Sequence, residues 1–142
     1  METGRYNVGV GLLVMVGFML YGFLLIYLRD FAAGKEEWSA SYSVGTHFEA
    51  RLAHVHGNLF GLLNVALGLV LVRLKPATDI ARRTAAGLGL AGLLMPVGIL
   101  GEVNLGLPPI FVLLGAMAMT ASVLLSGILA LRHWGWSVPS QP

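Results

Sequence analysis

Four long apolar runs separated by short charged segments constrain this chain more than any other feature. They cover residues 7–28, 52–72, 85–107 and 110–131. Each is close to the ~20 residues with which an α-helix crosses the hydrocarbon of a bilayer. Lipid offers no partners to backbone N–H and C=O groups, so a spanning segment must satisfy them as a helix or within a closed barrel. Period-2 alternation, the mark of a barrel strand, is missing from all four runs. The expectation is an all-α integral membrane bundle of four transmembrane helices, one domain over residues 1–142.

Composition agrees with this reading. Charged residues make up 11% of the chain and hydrophobic residues 56%, whereas a soluble domain carries about 25% charged residues. The sequence pI near 9.3 rests on nine Lys+Arg against seven Asp+Glu. These are not clustered as a nucleic-acid surface would have them, so nucleic acid is not expected as a partner. The charges order the topology instead. Arg5, Arg73, Lys75, Arg82, Arg83 and Arg132 flank one end of the runs. Arg29, Lys35 and Arg51 flank the other, beside Asp30, Glu36, Glu37 and Glu49. The positive-inside rule then puts both termini and the 73–84 turn in the cytoplasm, with Trp134 and Trp136 as an aromatic belt at that face. The absence of cysteine excludes disulfides, thiolate-bound zinc, iron–sulfur clusters and CxxCH haem attachment. The first run exceeds the roughly 7–15 residues of a signal-peptide core and lacks a small-x-small cleavage site, so it reads as a retained helix.

Polar groups inside spanning segments are costly, and chemistry is sought there first. His54 and His56 open the second run, and Glu102 with Asn104 closes the third. The alternation of helix direction puts all of them at similar depth. At about 100° per residue the two histidines point roughly 200° apart, so one metal ion does not take both. His54 shares its stripe with Gly57, Asn58, Gly61, Asn64 and Gly68, whereas His56 lies with Phe60, Leu63 and Leu67. A histidine above three glycines predicts a flat, side-chain-poor groove of the kind a planar macrocycle needs beside its axial ligand. His54 is therefore the candidate iron ligand of a haem, with Gly57, Gly61 and Gly68 as the surface that receives it. Hydrogen bonding between helices by His54 and Glu102 is the plainer reading of the same residues.

The first, third and fourth runs contain no histidine, and His47 and His133 lie outside the runs. Intrachain bis-histidine ligation is thus not expected, which favours ligand binding or Lewis-acid chemistry over electron relay. Other motifs carry less. Gly57 and Gly61 also form GxxxG, and Ala118, Ser122, Ser126 and Ala130 repeat every four residues, as helix-packing faces do. Gly87-Leu88-Gly89-Leu90-Ala91-Gly92 matches a dinucleotide fingerprint, but it sits inside a spanning run with no strand before it. Met95-Pro96 predicts a kink in the third helix.

The segment Arg51-x-Ala53-His54-x-x-Gly57-x-x-x-Gly61, with Asp79 and Arg83 before the third run, resembles the family of styrene oxide isomerase and hydroxylaminobenzene mutase. These are small four-helix bacterial membrane enzymes, and the likeness spans most of the chain. It implies a bacterial inner-membrane protein, haem b ligated by His54, a homotrimer, and ferric iron opening an epoxide to a carbonyl on small apolar substrates drawn from the membrane lipid. Phe60 stands where the family has an asparagine, and the third helix has no tyrosine. The polar side chains left for catalysis are Asn58, Asn64 and Glu102. Two other functions fit the residues: a non-catalytic haem-binding or structural subunit of a respiratory or oxidase complex, and a small transporter using Glu102 and the histidines.

Overall fold

The computed structural model describes residues 4–74 and 78–133. Lys75, Trp134 and Trp136, invoked above for topology, lie outside them. The chain forms α1 (Arg5–Asp30), a short α2 (Lys35–Ala40), α3 (Thr46–Arg73), α4 (Asp79–Gly92), α5 (Leu94–Leu105) and α6 (Ile110–His133), with no strand among the described residues. Helices α4 and α5 continue one another as a single span, Asp79–Leu105. With α1, α3 and α6 this makes four spans of 24 to 28 residues, a multi-pass membrane protein.

The helices outrun the apolar sequence at most ends. Hydropathy marks where hydrocarbon begins, but hydrogen bonding continues through the charged interface, where Arg, Asp, Glu and Thr are all compatible with helix ends. The polar stretch before α3 is also partly ordered, since α2 and the first turn of α3 are built from it.

Contacts run in series across the bundle. α1 packs chiefly on α3, α3 on α4 and α5, and these two on α6. α1 is the most exposed span, with 17% of its most apolar window buried against 39% for α3. Three apolar clusters form the core. Leu71, Leu74, Ala85 and Leu129 lie toward the end holding Arg5 and Arg132; Phe60, Leu67, Leu93 and Met119 fill the middle. Phe18, Ala53 and Ile99 lie toward the opposite end, called here the loop end because α2 covers it.

The glycine stripe of α3 is the seat of α1. A Cβ on Gly57 would enter the Phe18 ring. One on Gly61 would meet Met15 Cγ at 2.6 Å and Gly11 O at 2.9 Å, and one on Gly68 would meet Gly4 O at 2.5 Å. The open groove expected along this stripe for a macrocycle is therefore filled by another helix. Small residues do here what they commonly do in membranes, letting two backbones approach. The stripe on α6 serves packing too: Ser122 is fully buried and donates to Ala85 O at 2.6 Å.

The third span kinks at Leu93, three residues before Pro96. Proline offers no N–H to Gly92 O, and the Leu93 N–H turns to Leu90 O at 3.1 Å instead of continuing the ladder to Gly89 O. Gly89 O is taken up by Asn64 Nδ2 at 2.9 Å. The kink faces α6, where a Cβ on Gly115 would collide with the Met95 backbone.

Candidate functional site

Asn64 shows what a buried amide does in this bundle. Its NH2 group donates to Phe60 O at 3.0 Å and to Gly89 O at 2.9 Å, while its Oδ1 accepts from Asn7 Nδ2 at 2.9 Å. Asn7 Nδ2 also reaches Ala86 O at 2.9 Å. Both asparagines are buried, so this cluster ties α1, α3 and α4 together. Asn58 donates to His54 O on its own helix at 2.9 Å, and its buried Oδ1 has no partner. Glu102 is exposed near the end of α5, and Asn104 bonds back to Leu100 O at 2.8 Å. The three side chains expected to act in catalysis are thus held apart: Asn64 in the clamp, Asn58 on its own backbone, Glu102 on the surface.

His54 is placed differently. It leans across to α1, and its Nδ1 lies 2.8 Å from Phe18 O. A carbonyl oxygen only accepts, so Nδ1 carries the hydrogen, which in a neutral imidazole puts the lone pair on Nε2. This tautomer, fixed by a carbonyl behind the ring, is the one metal-ligating histidines adopt. Space for the ring comes from Gly22, where a Cβ would stand 2.5 Å from His54 Cε1 and 3.2 Å from Nε2. Nothing in the sequence singles out Gly22. One glycine among several in an apolar run gives no sign that a ring from another helix lies over it.

Beside His54 a cavity of about 500 Å³ opens between α1 and α3, lined by Met19, Gly22, Phe23, Leu25, Ile26 and Arg29 of α1, Tyr42 of the loop, and His47, Arg51 and His54 of α3. That volume falls in the range of about 300–1,000 Å³ typical of small-molecule sites. Its walls are mostly apolar, and none of the residues that line it belongs to α4, α5 or α6. The Pro96 kink, expected to shape a space opposite His54, is therefore not part of it.

His47 belongs to the same cavity. It is buried, stacks on Trp38 with ring centres 4.7 Å apart, meets Tyr42 edge-on at 5.3 Å, and has Nδ1 3.0 Å from Trp38 O. His47 and His54 are seven residues apart on one helix face, about 10.5 Å of rise. They stand along one wall rather than across from each other. His56 turns away, with Nδ1 2.8 Å from Leu52 O of its own helix and its ring 6.2 Å from Phe60. Among the described residues no three His, Cys, Asp or Glu side chains group as a metal site; the imidazoles that line the cavity are those of His47 and His54.

No family model, no curated protein and no solved structure matches this chain.

Proposed function

We propose that the chain is a haem b-binding membrane protein, with His54 Nε2 as the iron ligand and the α1–α3 cavity as the site. The observation that carries this reading is the His54–Phe18 hydrogen bond, which occupies Nδ1 of a ring lining a cavity of fitting size and leaves Nε2 as the nitrogen for a ligand. Gly57, Gly61 and Gly68 contribute indirectly, by bringing α1 close enough for Phe18 O and Gly22 to hold the ring. Bound there, haem b supplies a Lewis-acidic ferric iron, able to polarise the oxygen of an epoxide on its way to a carbonyl. The chain's own residues orient the imidazole, flank the site with Met19, Phe23, Leu25 and Ile26, and admit small apolar substrates from the lipid beside it.

Several features support the rest of the reading. His47 and His54 stand along one wall, and no other histidine lines the cavity, so a substrate would have the rest of it. The cavity is lined by α1, α3 and the loop between them and by none of α4–α6, which leaves room for a second copy in a homo-oligomer, a trimer by family resemblance, to cover it. Arg5, Arg73, Arg82, Arg83 and Arg132 gather at one end of the bundle, which by the positive-inside rule is cytoplasmic in a bacterial inner membrane.

The test is the visible spectrum of the protein purified in detergent from cells supplied with haem. A Soret band, haem b extractable into acid acetone, and a saturable shift of the ferric band on adding imidazole are expected. A colourless protein removes the proposal. A coloured protein that imidazole does not shift keeps the haem and removes the isomerase chemistry, favouring a non-catalytic subunit.

A further inference from the structure

The rim of the cavity carries charge that ligation by His54 does not use. Arg51 of α3 and Arg29 of α1 line it toward the loop end. Arg29 grips Asp30 through Nε and Nη2 at 2.9 and 2.7 Å. Arg51 meets no carboxylate among the described residues. Its guanidinium stacks 3.8 Å from the Tyr42 ring centre, and its Nη1 donates to Tyr42 O at 3.3 Å. A guanidinium fixed this way keeps most of its five N–H donors for an anion, and its planar fork suits a carboxylate. Arg51 precedes His54 by one turn, about 4.5 Å of rise. The cavity therefore presents an imidazole and an uncompensated cation one turn apart on α3, with apolar side chains of α1 across from them.

We propose that Arg51, assisted by Arg29, binds the carboxylates of the macrocycle whose iron His54 holds, so that its acidic edge faces the loop end. This inference rests on the haem reading and adds an orientation and a charge requirement to it. An imidazole, apolar side chains and a cation lining one cavity match an amphipathic ligand with a metal at its centre, an apolar perimeter and carboxylates on one edge. A carboxylate at the rim compensates Arg51 where water and lipid headgroups meet. At the buried end of the same cavity it would have no cation to meet.

The test compares two probes on the haem-free protein in neutral detergent: ferric haem b and its dimethyl ester, which keeps iron and ring but loses both negative charges. Binding is read from the Soret band. Wild type is expected to hold haem at least about tenfold more tightly than the ester, the lower end of what charge-assisted hydrogen bonds give at a partly solvated site. Arg51→Gln should weaken haem binding by about the same factor and leave the ester unchanged, so the ester itself reports an intact cavity. Arg51→Lys should recover part of the loss, and Arg29→Gln should lower haem affinity less, in the same direction. Equal binding of both probes by wild type would overturn the proposal while leaving His54 as ligand. Equal weakening of both by Arg51→Gln would also overturn it, assigning Arg51 to packing on Tyr42. If wild type binds neither probe, the haem reading itself falls, and the proposal with it.

Discussion

Replacing Asn64 by leucine separates a structural clamp from a catalytic amide. The side chains are close in size, so little cavity forms, but three hydrogen bonds vanish. The bond to Phe60 lies within α3 and contributes least. The bond to Gly89 matters more, because that carbonyl lost its helical N–H at the kink and an apolar side chain opposite it would leave it bare in a low-dielectric core. The bond from Asn7 is also lost, and Asn7 Oδ1 is already unpartnered. Interhelical hydrogen bonds in membrane proteins average roughly 0.6 kcal/mol and reach about 1.7, while an orphaned buried acceptor costs about 1–3 kcal/mol. Asn64→Leu should therefore destabilise the fold by about 2 kcal/mol. Asn7→Leu should cost less, and the double variant should fall short of the sum, because the two amides bond directly. Reversible unfolding in mixed micelles measures all three. A loss below about 0.5 kcal/mol in Asn64→Leu, or strict additivity with Asn7→Leu, would refute the clamp.

Gly22→Ala should push the His54 ring off Phe18 O with little change in stability, since a side-chain tip can yield; haem affinity should fall about 10–100-fold, as on loss of an outer-shell partner, and unchanged affinity would mean the ring needs no such support. Gly61→Val should cost about 2–3 kcal/mol or more by driving α1 off α3, with haem lost as α1 separates. A stable Gly61→Val variant that merely fails to bind haem would mark the stripe as the floor of the site after all.

The architecture was legible because four spans follow from lengths of apolar sequence that only a membrane helix satisfies. The division of the two histidines between faces was legible for a similar reason, since helical period fixes it. What period alone does not give is which neighbour a face meets. A stripe of histidine and glycines looks the same whether it awaits a macrocycle or a helix, and α1, itself rich in small residues, fills the stripe. Asn64 looked reactive because it is polar in an apolar run. Its role depends on the Gly89 carbonyl, released at the Leu93 kink in another span, which no local pattern reveals. Gly22 and Phe18 O come from a stretch of α1 with nothing polar except Tyr21, so their approach to His54 is a fact of packing alone. His47 lay in a segment too polar to count as spanning, yet the extra turns of α3 carry it onto the wall below which His54 lies.

The central claim is that His54 Nε2 ligates iron. The most direct measurement is the ferric absorption spectrum of His54→Gly beside His56→Gly, each supplied with haem b and then with free imidazole. His56→Gly should keep the wild-type spectrum, since that ring turns away from the cavity. His54→Gly should lose the Soret band of bound haem and regain it when imidazole fills the space the ring left. Retention of the wild-type spectrum by His54→Gly, or its loss in His56→Gly alone, would contradict the account.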